Sequence, residues 1–267
     1  MLPRTLVALL TDLRTPLYRN TLFIILNLGT IAVLGFLFWV LVTRYFPNPA
    51  TFTNSLILTQ TAMFLGFLST LGFGQGMIRF LPNFEGNPLA MANSVLTLSS
   101  LASLGFSTLF LVVVVPRWYP EGAFLLASPL SAAAFFLFVI LFVNFGLIDY
   151  VFTARRRVDY AVGKNLLSQV AKFALLFALL SLGEGSILLS YGAGMAFALS
   201  LAVIYLAPRT LPGFRPTLTI DWPLVREMIR YSFLNHVAEI MALAPGIVLL
   251  YMVNLQFPPQ VAGAFGA

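Results

Sequence analysis

Of the 267 residues, 60% are hydrophobic and 9% charged, against about 45–50% and about 25% in soluble globular domains, so a water-soluble fold is excluded. Cysteine is absent, which removes disulfides, thiolate metal sites and cysteine nucleophiles. The formal net charge of +6 sits in short segments between apolar runs, which argues against a nucleic-acid partner and for the positive-inside pattern of a membrane protein.

Residues 1–19 form a cytoplasmic or interfacial N-terminal segment. Leu2, Leu6, Val7, Leu9 and Leu10 are apolar beside charged Arg4, Asp12 and Arg14, a composition that fits both an interfacial amphipathic helix and a disordered tail. Asn20 to Thr43 then runs 24 residues without a charge. At about 1.5 Å per residue it reaches roughly 36 Å, enough for a hydrocarbon core of about 30 Å. No small-residue cleavage site follows before Arg44 and Tyr45, so this is a retained first span and not a signal peptide.

Further spans are predicted over 54–78, 89–115, 124–148, 163–183, 186–207 and 230–254, about seven in all. The connections carry Pro47-Asn48-Pro49, Pro82 to Pro88, Pro116 to Gly122, Gly183-Glu184-Gly185 and Pro208 to Pro216, residues that interrupt helices and build turns. The fold class is therefore all-α, a polytopic transmembrane bundle, with 208–229 as a cytoplasmic linker and 230–267 as a last helix and the loop after it.

With the N-terminus in the cytoplasm, twelve basic residues fall inside: Arg4, Arg14, Arg19, Arg79, Arg155, Arg156, Arg157, Lys164, Arg209, Arg215, Arg226 and Arg230. Only Arg44 and Arg117 fall outside, and this asymmetry orients the chain. A weak internal repeat accompanies it. Tyr18 to Ser55 and Arg230 to Ala267 both pass from an aromatic and basic start through an Asn and an apolar span to a Phe-Pro turn, Phe46-Pro47 in one and Phe257-Pro258-Pro259, then Phe265, in the other.

Three blocks resemble a known family: Arg19-Asn20-Thr21 opening the first span, Leu71 to Pro82 (LGFGQGMIRFLP) closing the second, and Tyr231-Ser232 through Pro245-Gly246 to Val253 in the seventh. They are similar to the polysaccharide-biosynthesis, O-antigen-type flippases of the multidrug/oligosaccharidyl-lipid/polysaccharide exporter superfamily. The resemblance runs from about Arg19 to Ala267 and implies two helical lobes rocking around a central hydrophilic cavity. Residues 20–207 would supply the six-helix first lobe, and 230–267 the first helix of the second. It also implies a multi-pass protein of the cell membrane that is a transporter and not an enzyme, and that uses no cofactor. Its partners would be a polyprenyl-diphosphate-linked oligosaccharide, membrane lipids and other glycan-assembly membrane proteins.

No catalytic or metal constellation stands out in the sequence; Gly72, Gly74 and Gly76 lie in an apolar helix and serve close helix packing. Lys172 falls near the middle of the fifth predicted span, where a charge costs roughly 2.5–3.5 kcal/mol on insertion scales. It is a candidate contact for the substrate diphosphate, with a carboxylate pair or snorkelling as the structural alternatives. Glu239 is the natural partner for such a pair. Asn235 and His236 precede it on the same helical face, and the three form either an ion-coupling group or a polar cluster between helices. Arg19, Arg79 and Arg230 sit at cytoplasmic helix ends, where a planar guanidinium suits phosphate, and where the positive-inside rule also expects them. Arg155 to Arg157 with Lys164 read as a topology determinant facing anionic headgroups. A small-molecule exporter of the same superfamily, and a membrane glycosyltransferase or polymerase acting on lipid-linked sugars, stand as the alternative functions.

Overall fold

Three helices open on a short polar residue followed by proline, and a fourth on an aspartate with proline two residues on. The polar side chain accepts from the first free amides, and proline, with no N–H to lose, presets the first helical turn. In the computed structural model, which describes residues 16–183 and 185–257, Asn48 accepts from Ala50 N at 3.1 Å ahead of Pro49. Asn87 accepts from Leu89 N and Ala90 N at 3.0 and 3.3 Å, Ser128 from Ser131 N at 3.1 Å and Asp221 from Leu224 N at 3.3 Å. The segment 1–15, expected as an interfacial helix or tail, lies outside the described residues, as do Pro258, Pro259 and Phe265 of the repeat.

The elements are α1 Pro16–Tyr45, α2 Pro49–Ser69, α3 Phe73–Phe80, α4 Pro88–Trp118, α5 Pro129–Ala154, α6 Val158–Ala178, α7 Gly185–Thr210 and α8 Trp222–Gln256. No strand occurs among the described residues. Helices α1, α4, α5, α7 and α8 are each long and apolar enough to cross a membrane, and α2 with α3 makes a sixth if that bent pair is one span. The fold is all-α with the helices of a polytopic membrane protein. α6, which overlaps the predicted span 163–183, is not among these apolar helices.

Where the sequence predicts one span over 54–78, α2 and α3 meet at a 49° bend. Leu71 and Gly72 both take left-handed backbone there, with φ of 50° and 74°, a conformation that ends a helix and that glycine alone adopts without strain. The glycines beyond the bend do serve close packing. A Cβ on Gly72 would collide with Ser232 O of α8, one on Gly76 would lie 2.6 Å from Ser232 Oγ, and one on Gly74 would lie 2.6 Å from the Tyr150 ring of α5.

Pro116 and Pro208, expected to end their helices, instead sit inside the last turns of α4 and α7. Each is preceded by a π turn, over Phe110–Val114 and Ala202–Leu206. Val115 N–H reaches back to Phe110 O and Ala207 N–H to Ala202 O. Widening the helix by one residue gives the proline ring room against the preceding turn, so the helix continues for three more residues.

Within the predicted linker 208–229, α7 runs on to Thr210 and α8 begins at Trp222, which leaves a stretch 211–221 that starts with a turn, Phe214 N donating to Leu211 O at 2.9 Å, and continues without regular secondary structure. That strap is laced to α4. Asn93 Nδ2 donates to Arg215 O at 3.0 Å, Thr217 N to Asn93 Oδ1 at 3.2 Å, Thr97 Oγ1 to Thr217 O at 3.2 Å and Asp221 N to Ser94 Oγ at 2.8 Å. Its own Leu211 and Phe214 are buried.

Of three apolar cores among the described residues, one joins α1 to α2, α6 and α7 through Phe38, Val42, Phe52, Leu56, Leu176 and Ile187, and two fill the rest of the bundle. One, at the end where α5 finishes, joins Phe73, Met77, Leu147, Val151, Phe152 and Met228; the other, around Ile57, Leu65, Phe110, Phe135 and Val139, joins α2, α4 and α5 towards their opposite ends. The outermost helices, α1 and α8, are only 6% and 11% buried along their apolar windows.

Candidate functional site

Helix α6 reverses the usual order of a water-exposed helix. Its buried face carries Lys164, Asn165, Ser168 and Lys172, while its exposed residues include Leu166, Val170 and Phe177. Lys164, Ser168 and Lys172 recur every four residues and therefore form one stripe. The helix is anchored just before its start, where Arg157 donates to both carboxylate oxygens of Asp159 at 3.0 Å each and lies over the Tyr160 ring at 3.6 Å. The Asp159 hydrogen bonds hold that guanidinium protonated to still higher pH than usual. Gly194 lets α7 reach the stripe, for a Cβ there would lie 2.9 Å from Lys172 N and 3.0 Å from Ser168 O.

Lys172 is 3% exposed. Its ammonium sits 4.3 Å from the centres of both the Phe38 ring of α1 and the Tyr191 ring of α7. A cation between two ring faces is stabilised by their quadrupoles. Among the described residues Lys172 makes no ion pair; the two that occur there are Arg157 with Asp159 and Lys164 with Asp149. Phe38 also packs edge-on against Phe173 and Tyr191, at 5.9 and 5.8 Å, so α1 forms the cover over this lysine.

Lys164, read from the sequence as a headgroup-facing loop residue, is instead buried in α6. Its Nζ donates to Phe145 O at 2.6 Å and lies 3.1 Å from Asp149 Oδ1. Asn165 Nδ2 donates to Asp149 Oδ2 and to Asn27 Oδ1, each at 3.0 Å. Asn27, Asp149 and Asn165 are absent from the sequence-derived candidates, Asp149 because the predicted spans end at 148 and resume at 163, which leaves it in a supposed loop. The signal that was available is the Ser128-Pro129 cap, which starts a helix with no breaker before Ala154 and so carries Asp149 inside it.

The second group lies where α8 crosses the bend between α2 and α3. His236 is buried, with Nε2 3.2 Å from Leu68 O and its ring 4.9 Å from that of Phe67. Nε2 must therefore carry the proton, and Nδ1 has no partner among the described residues. Gln75 Nε2 donates to Glu239 Oε1 at 3.3 Å. Glu239 and His236 thus share the bend, whereas Asn235 is exposed and turns its amide to Tyr231 O of its own helix at 3.4 Å. Glu239 does not pair with Lys172.

Arg79 stacks over the Tyr231 ring at 4.2 Å. Arg230, exposed beside it, lines a shallow groove of about 420 Å³ with Tyr231 and Asn235. Arg19 belongs to the first turns of α1, but its side chain lies outside the described residues. A groove of about 620 Å³ between α2, α4 and α8 is lined almost wholly by apolar side chains such as Phe64, Phe106, Val248 and Met252. No group of three or more metal-ligating side chains occurs among the described residues. No family model, curated protein or solved structure matches this chain.

Proposed function

We propose that this chain is the first lobe, with one further helix, of a transporter that moves an anionic, lipid-linked saccharide across the cell membrane. The observation that carries the reading is Lys172: a lysine buried with no carboxylate partner among the described residues and covered by an outer helix that is only 6% buried along its apolar window. Ionisable groups at membrane depth are expensive and mark substrate or ion pathways. Lys172 lies fourteen residues into α6, roughly 21 Å along the helix and well inside a bilayer. The bend at Leu71–Gly72 adds a broken helix beside Glu239 and His236, the kind of discontinuity at which transporters bind charged ligands.

Counting α2 with α3 as one, and adding α6, gives seven spans. α6 enters the count because its polar residues face inward and its apolar ones outward, the arrangement a helix needs in lipid. The basic residues then put the N-terminus, the turn at Arg155–Arg157 and the 211–221 strap in the cytoplasm. Displacing α1 uncovers Lys172 for a diphosphate, and Arg79 and Arg230 stand at the cytoplasmic mouth.

The test is export of the glycan by the complete protein carrying Lys172→Met or Lys172→Arg, with thermal stability measured in parallel. Lys172→Met removes the charge and keeps a long flexible stem, so it should fold and fail to export, while Lys172→Arg keeps part of the activity. Full export by a stable Lys172→Met protein would defeat the proposal.

A further inference from the structure

Helix α4 measures how deep the 211–221 strap lies. From Pro88 to Trp118 it has 31 residues, about 46 Å of helix, close to the roughly 40–45 Å of a bilayer with its headgroup layers. Asn93 and Thr97, which bond the strap at Arg215 O and Thr217 O, stand five and nine residues past Pro88, roughly 8 and 14 Å from that end. Each headgroup layer is about 5–8 Å deep. Arg215 is therefore held at its floor, and Thr217 with Leu218 just beyond, where acyl chains begin. Leu218 is 91% exposed there, and it cannot fold back because both backbone groups of Thr217 are committed to α4. It borders a groove of about 250 Å³ walled by Leu96 of α4, Ile140 of α5 and Leu199 and Val203 of α7. Exposed Ile204 and Tyr205 follow Val203 on α7, and exposed Trp222 opens α8, residue types that suit the boundary between acyl chains and headgroups.

The charges in and beside the strap are mostly positive. Arg209, Arg215, Arg226 and Arg230 are all exposed, and Arg209 lies over the Tyr205 ring at 3.4 Å. The acids among them are Glu227 and Asp221, whose carboxylate caps α8 at Leu224 N. We infer that the strap is an interfacial anchor: Leu218 inserts among the acyl chains of the leaflet at this end of the bundle, while Arg209, Arg215 and Arg226 bind the phosphates of anionic phospholipids. A guanidinium fork matches a phosphate, and basic residues at this depth meet the negative surface of such a leaflet. In the topology proposed above this is the cytoplasmic leaflet. The inference rests on the membrane helices and the lacing of the strap to α4, not on what is transported.

The experiment places single cysteines in this cysteine-free chain, Leu218→Cys and, as a control, Glu85→Cys on the exposed turn before α4. Each is labelled with a nitrobenzoxadiazole fluorophore and reconstituted into nanodiscs of phosphatidylcholine containing a quarter phosphatidylglycerol, which present the same lipid on both faces. The label at 218 should emit to the blue of the label at 85. It should also be quenched several-fold more by a nitroxide near the glycerol end of the acyl chain than by aqueous iodide, with the order reversed at 85. Brominated lipids should show phosphatidylglycerol preferred over phosphatidylcholine around the 218 label by on the order of fivefold. Arg215→Gln with Arg226→Gln should bring that ratio towards one, and Arg215→Lys with Arg226→Lys should keep most of it. Stronger quenching at 218 by iodide than by the nitroxide overturns the proposal, and so does equal quenching by the two brominated lipids with the arginines intact. Both readings come from the otherwise native chain and stand even where the glutamine variants do not fold. An unchanged lipid ratio in folded glutamine variants overturns it as well.

Discussion

Gly194→Ala tests whether the contact between α6 and α7 fixes the Lys172 stripe. The added methyl would lie 2.9 Å from Lys172 N, 3.1 Å from Lys172 Cα and 3.0 Å from Ser168 O, all backbone atoms that cannot rotate away. Relief requires the two helices to separate by roughly half an ångström, and overpacking of this kind costs about 1–3 kcal/mol. Alanine gives back about 1 kcal/mol of helix propensity over glycine, so the net loss is about 0–2 kcal/mol, or a fall in Tm of up to about 8 °C. Gly194→Val, larger and β-branched, should lose more. The control is Gly105→Ala in α4, where nothing lies within 4 Å of the new Cβ; it should gain up to about 1 kcal/mol. Thermal unfolding of the three variants in one detergent gives the comparison. If Gly194→Ala is as stable as Gly105→Ala, the close approach of α6 to α7 is not a real constraint and the fixed placement of Lys172 fails with it.

Cysteines introduced singly into this cysteine-free chain test orientation: Tyr45→Cys and Ala127→Cys should react with an impermeant thiol reagent applied from outside, and Arg156→Cys should not, the reverse pattern sinking the proposed topology. Asn87→Ala removes the two cap bonds of α4 and should cost about 1 kcal/mol in unfolding experiments; no measurable loss would mean that the cap is idle. Asn93→Ala should release the 211–221 strap, read as faster amide hydrogen exchange at Thr217, whose N–H bonds to Asn93 Oδ1, and unchanged exchange would refute the lacing.

How legible the molecule was depends on how local each cause is. The span-forming helices and their approximate places follow from uncharged runs whose length a bilayer dictates, and the glycines at 72, 74 and 76 announced a close helix contact by their spacing. The bend between α2 and α3 did not show in the sequence, since an apolar run containing glycine reads as continuous helix, whereas the left-handed backbone at Leu71 and Gly72, packed against Ser232 and His236 of α8, belongs to the tertiary structure. The helix through Pro116 was missed for a related reason. A proline in a sequence signals a break, whereas a π turn upstream absorbs it.

The candidate residues divide along the same line. That Lys172 lies deep in a helix, and that Glu239 and His236 share a face, is fixed by helical periodicity and was readable at once. What each one touches is set by which helices become neighbours. Tertiary packing gave Lys172 two aromatic rings instead of a carboxylate, gave Glu239 the amide of Gln75, and drew Asp149 and Lys164 out of a supposed loop into a buried pair. The sequence by itself determined which segments must leave water, because transfer of a side chain depends on its own composition. Only the tertiary structure decided which charges meet, because Coulomb and hydrogen-bond energies act over a few ångströms between residues far apart in the chain.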